Sequence, residues 1–138
     1  MPEGPAYPIR SIRDTRYKLV MNLSPEKDYH IKYYMNGGKK NVLWNSWVAE
    51  AANPGRARQL TQRVIRRPAL EFYDMEKDPW EQHNLAASAS HQQLIARYSA
   101  ELKSWMKQQG DKGQPTELAA GERQSPARRN SSSGAEDE

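Results

Sequence analysis

Asp74, Glu76 and Asp78 recur at every second position, the spacing at which a loop can wrap carboxylate oxygens around calcium. Such a loop needs glycine at its sixth position and a bidentate glutamate at its twelfth. Counted from Asp74, those positions hold Pro79 and Leu85. The run therefore reads as a turn in which Asp74 and Asp78 accept hydrogen bonds from backbone N–H groups, with Trp80 and Leu85 pinning it to a core. His30, His83 and His91 show no ligand spacing and the chain has no cysteine, which excludes disulfides, thiolate metal sites and a cysteine nucleophile. The densest basic feature is Arg56, Arg58, Arg63, Arg66 and Arg67; on a helix, Arg56, Arg63 and Arg67 share one face. It reads first as a solvated face and second as a contact for an anionic glycan or nucleic acid. The sequons at Asn22 and Asn130 are short enough to arise by chance.

The elements that must position these residues follow from periodicity. Residues 7–13 read as a strand, Asp14-Thr15 as a turn, and Tyr17, Leu19, Met21 and Leu23 alternate with Arg16, Lys18, Val20 and Asn22, the period of a strand with one buried face. Ile9 and Ile12 are out of phase, which predicts a bulge or burial on both faces. Residues 28–34 form a candidate further strand, followed by a Gly-rich loop at 36–40. Leu43, Trp44, Trp47, Val48 and Ala51 recur at helical spacing, and Asn53-Pro54 reads as the cap and first residue of a second helix reaching about Arg66. Pro68 leads into a strand at 70–73. Ser90 and Gln93 resemble a capping box, after which Leu94, Tyr98, Leu102 and Trp105, flanked by Ile95 and Met106, form one stripe ending at Gly110. The expected fold is α+β: a small antiparallel sheet of three to four strands packed by a C-terminal helix, with one or two connecting helices. The expected organisation is one domain over 1–111 and a flexible, mostly disordered tail over 112–138, where Gly, Pro, Ser, Arg and Glu predominate.

The run from Ala69 to Ala86, with Glu71-Phe72-Tyr73-Asp74, Asp78-Pro79, Glu81 and Asn84-Leu85-Ala86, resembles the E-L-Y-D-L-x-x-D-P-x-E-x-x-N-L-A signature near the C-terminus of sulfatases. Upstream, residues 7–20 are similar to the pattern R-x-V-R-x-x-x-Y-K-L-I of that family, and the likeness continues through Trp105 to Asp111. Together these cover most of residues 7–124, and the look is closest to the heparan N-sulfatase branch. The resemblance implies a four-stranded antiparallel sheet packed by a helix, and it makes the chain the C-terminal subdomain of a larger enzyme, cut as a fragment or encoded as a truncated gene. The parent would hydrolyse sulfate esters or N-sulfate groups with a formylglycine and calcium, and would be periplasmic, secreted or lysosomal.

None of that catalytic machinery is encoded here. The C-x-P-S-R nucleophile motif is absent, and Ser125-Pro126-Ala127-Arg128-Arg129 departs from its serine variant before the last arginine. No catalytic residue, metal ligand or cofactor is therefore expected in this chain, and no activity from it alone. Sulfatase C-terminal subdomains have loops that can reach the catalytic pocket, which makes His30 and Lys32 the candidates for substrate contact against a surface-loop role. The expected partner is the missing catalytic domain, with self-association through Tyr33, Tyr34, Trp44 and Trp47. No apolar stretch approaches the roughly 20 residues of a membrane span. With 21 basic and 17 acidic residues interspersed and a net charge of +4, nucleic acid is a weak candidate partner. The alternative is a free-standing binding module for an anionic glycan or nucleic acid.

Overall fold

Strand β1 (Ile9–Arg13) and strand β2 (Tyr17–Asn22) form a hairpin in a computed structural model that describes residues 7–31, 35 and 41–119. The turn is built by Asp14, whose backbone N–H donates to the Tyr17 carbonyl while its Oδ1 accepts from the N–H groups of Arg16 and Tyr17 at 2.8 and 2.7 Å. A side chain that satisfies two backbone donors holds a tight turn without glycine. Helix α1 (Val42–Glu50) and helix α2 (Arg56–Ile65) then lead to β3 (Leu70–Asp74), which lies antiparallel on β2 with Leu19 opposite Phe72. A short 3-10 turn at Ala89–His91 opens α3 (Gln92–Gln108), and α4 (Gln114–Leu118) follows. The sheet order among the described residues is β1-β2-β3.

Alternation along the strands gives the sheet two faces. Leu19 and Phe72, with Ile12, Tyr17, Met21 and Leu70 beside them, meet Ile95, Tyr98, Leu102 and Met106 of α3 in one apolar cluster. Tyr17 stacks on Phe72 with centroids 5.4 Å apart, and Tyr98 meets the same ring edge-on at 5.7 Å. Tyr98 also donates its hydroxyl to Asp14, tying helix to hairpin turn.

Helix α3 ends in a Schellman turn. The Gly110 N–H donates to the Lys107 carbonyl and the Asp111 N–H to that of Met106, with Gly110 at φ 68°, a conformation glycine adopts without steric cost. Beyond it the chain returns to the sheet: Asp111 and Glu117 pair with Arg10, Gln114 donates to Ser24 at 2.9 Å, and Gly113 is buried against Leu23 and Met106. Residues 112–119 are thus packed on the body, past the expected boundary at residue 111.

The outer edge of β3 is covered by a side chain. Asn84 accepts from the Phe72 N–H at 2.9 Å and donates to the Leu70 carbonyl at 3.1 Å, after which the Leu85 N–H donates to the Phe72 carbonyl. This mimics one rung of a further strand and blunts an edge that would otherwise template association.

Several local expectations differ. The buried stripe of α3 is Ile95, Tyr98, Leu102 and Met106, whereas Trp105 is 53% exposed. Pro54 is not the first residue of α2: the helix begins at Arg56 behind Gly55, whose φ of 150° suits only glycine. Ser90 makes no capping box; its hydroxyl bonds Ser88 and the His91 ring. His91 is half-buried with its ring near Tyr17 and Phe72, not solvent-facing. The β1–β2 register is unbroken, so Ile9 and Ile12 point to opposite faces without a bulge. Residues 28–31 are not a strand, and 32–34 lie outside the described residues.

Candidate functional site

The second face of the sheet is polar at its centre. Tyr73 and Asn22 are buried there, at 1% and 3% exposure. The Tyr73 hydroxyl donates to Glu71 at 2.5 Å, and the Asn22 amide donates to Glu71 at 2.7 Å and to the Pro68 carbonyl at 2.6 Å. Burial, and then the hydrogen bond it donates to Glu71, push the Tyr73 phenol well above its usual value, so it stays protonated and remains a donor. Asn22 carries a sequon but is locked in this network, which leaves it no accessible amide for a glycan.

Above this polar floor lies a cleft of about 490 Å³ between the helices and the Pro79–Gln82 turn. Trp47 of α1 and Trp80 of the turn are both exposed at its rim, by 43% and 80%. Leu60, Val64, Arg63 and Arg67 enter from the α2 side, and Glu71, Tyr73 and Glu81 from the sheet side. The turn is firmly held. Asp78 accepts from the His83 N–H at 2.7 Å, Arg63 donates to the Gln82 carbonyl at 2.9 Å, and Arg56 donates to the Gln82 side chain. Glu81 sits at φ 53°, a left-handed conformation costing a non-glycine residue ~1 kcal/mol, and its carboxylate meets Lys18 at 2.8 Å. Strain of this kind persists only where surrounding contacts over-determine it.

The five arginines do not all share one face: Arg56 and Arg63 both donate to Gln82, and Arg63 and Arg67 line the cleft, while the others turn elsewhere. Arg58 caps the end of α1 by donating to the Ala51 and Ala52 carbonyls, Arg66 pairs with Asp28, and Arg67 lies over the Tyr29 ring at 4.4 Å. Among the described residues no carboxylate forms an ion pair with Arg63 or Arg67. Among the described residues the Arg67 Nε and the Tyr7 hydroxyl are both buried without a hydrogen-bond partner, and Tyr7 and Arg67 pack on the same ring, that of Tyr29.

Of the residues singled out from sequence, His30 is exposed, its Nε2 lies 3.3 Å from the Met35 carbonyl oxygen, and it does not line the cleft. Lys32, Tyr33, Tyr34 and the 125–129 run lie outside the described residues. Asp74 does cap its turn, accepting from the Glu76 and Lys77 N–H groups and from Arg16 at 2.8 Å, while Trp80 faces solvent instead of the core. Among the described residues no three His, Asp or Glu side chains converge as they would around a metal ion. No described helix is long and apolar enough to cross a membrane.

Over 105 residues the chain is 32% identical to an ulvan-active sulfatase of Formosa agariphila, and 26% identical to a second ulvan-active sulfatase of that organism. The chain carries a sulfatase-related domain. These matches take in 76% and 75% of the chain but only 18% and 17% of the relatives, so the domain spans less than a fifth of the sulfatases it matches. No protein-family model matches the chain. In this sulfatase-related domain the family-like run has a visible physical role: Asp74 and Asp78 shape the turn, Asn84 and Leu85 close the sheet edge, and Glu71 and Tyr73 form the cleft floor. Sequence reasoning missed Trp47, Trp80, Arg63 and Arg67 as one site because the cleft joins α1, α2 and a turn 13 residues beyond Arg67. The only signal was two tryptophans without a place in a buried stripe.

Proposed function

We propose that the chain is the C-terminal structural and pocket-completing subdomain of a sulfatase that hydrolyses sulfate esters or N-sulfate groups, the latter in keeping with its heparan N-sulfatase-like signature. The reading is carried by α1. No residue of this helix is buried, and Val42, Leu43 and Val48 are exposed by 71%, 69% and 47%. A helix that turns large apolar side chains to water has its packing partner elsewhere, and the catalytic body of a sulfatase is that partner. His30, exposed on the connection after β2, and Lys32, on sequence grounds alone, are the proposed substrate contacts. The rival, a free-standing binder tracking a polyanion, is disfavoured because Arg56, Arg58 and Arg66 are engaged with internal acceptors.

Complementation tests the proposal. The Formosa agariphila sulfatase, truncated to remove its matching region, is produced alone and together with this chain, and hydrolysis of an aryl sulfate is followed. Regained turnover that is lost with Leu43→Ser plus Val48→Ser supports the docking role. A folded truncated body that gains nothing from the intact chain contradicts it, as does turnover by the chain alone.

A further inference from the structure

We infer that the cleft between Trp47 and Trp80 is a subsite for an anionic sugar residue, a pyranose ring carrying a sulfate or carboxylate group. The inference deepens the sulfatase reading and rests on it for the choice of a saccharide; of the residues that line the cleft, Trp47 alone belongs to α1. Two indoles at one rim suit the flat C–H faces of a pyranose, since aromatic side chains give large rigid contact area at low entropic cost. Trp80 is 80% exposed yet its turn is fixed by Asp78, Gln82 and two arginines, so the backbone that presents the indole is held in place.

The charges divide in the same sense. Both carboxylates lining the cleft are already satisfied, Glu81 by Lys18 and Glu71 by Asn22 and Tyr73. Arg63 and Arg67, on the opposite wall, have no carboxylate partner among the described residues, although Arg63 already donates to the Gln82 carbonyl and the Tyr73 hydroxyl. Guanidinium groups match sulfate and carboxylate oxygens in geometry and charge. Among the described residues the Arg67 Nε is buried without a hydrogen-bond partner, donor capacity that the described contacts leave unused. A neutral sugar would leave that capacity unmet, and an anion without a ring would leave the indoles idle.

The isotope-labelled full chain is titrated with four probes: a sulfated tetrasaccharide, an oligogalacturonate of equal length, neutral cellotetraose and sodium sulfate. Indole N–H signals are followed by NMR. The signals of Trp47 and Trp80 are expected to move with one or both anionic sugars, and which one moves them identifies sulfate or carboxylate as the recognised group. The Trp105 signal, on the far side of the sheet, should stay. Arg67→Met and Trp80→Ala should each weaken binding about tenfold or more; the second removes an exposed ring and leaves folding intact. No shift with either anionic sugar overturns the inference. Equal response to cellotetraose or to free sulfate overturns it too, as does tighter engagement of the same signals by a thymidine oligonucleotide. Failure here with successful complementation above would leave the subdomain reading standing and remove only the subsite.

Discussion

The two faces of the three-stranded sheet are built on opposite principles. The face under α3 is dry: Leu19 and Phe72 are fully buried against Ile95, Tyr98 and Leu102. The face under α2 buries Tyr73 and Asn22 instead, and it holds them with hydrogen bonds to Glu71. The dry face is complete within the chain and supplies stability. The wet face ends in a cleft and in a helix whose apolar side chains are exposed.

The contrast breaks most visibly if core and floor residues are exchanged for smaller ones. Phe72→Ala should cost about 3–5 kcal/mol, because the ring touches both Tyr17 and Tyr98, whereas Tyr73→Phe, one residue along on the other face, should cost only about 1–2 kcal/mol from one lost hydrogen bond. Urea titrations compare the two directly. Equal losses would mean the faces are not different in kind.

Acid sharpens the same comparison. The Asp14 carboxyl is held at about 2, below its ordinary 3.8, first by the Tyr98 hydroxyl and then by the Tyr17 and Arg16 N–H groups. Asp74, beside Arg16, and Asp111, beside Arg10, are lowered as well. A lowered folded-state value stabilises above the unfolded value, and that contribution is lost as the proton binds. Stability should therefore fall as pH drops from about 4 toward 2. Asp14→Asn or Tyr98→Phe should flatten this limb in melts across that range; an unchanged limb would remove the helix-to-turn tie.

The smallest expected effects concern the tryptophans. Trp105→Ala and Trp80→Ala should both shift thermal midpoints little, within about 1 kcal/mol, because both rings are mostly in water. A large loss at Trp105 alone would restore the stripe expected from sequence.

That stripe shows where sequence patterning stops. Period-2 alternation located β2 and the side that meets α3, but not that both faces of the strand are buried: Leu19 lies under α3, and Val20 and Asn22 are buried on the other side. Spacing also found α3, but it placed Trp105 where Met106 belongs. The two residues are adjacent and both apolar, and spacing alone does not say which of them joins the cluster under the sheet, where Met106 lies. Helical spacing likewise revealed α1 without showing that its apolar residues have no cover. The cleft was least legible, because it depends on where Arg63 and Arg56 tether a turn far along the chain. Asn84 closing the β3 edge had no periodic signal at all; it is a single side chain standing in for a strand.

The central claim is that the α1 face is an interface built for a larger sulfatase, and sedimentation of the chain across a concentration series tests it most directly. Exposed Val42, Leu43 and Val48 should drive reversible self-association of the isolated chain, and Leu43→Ser with Val48→Ser should abolish it while circular dichroism stays unchanged. A chain that remains strictly monomeric at every concentration, with or without those substitutions, would contradict the account.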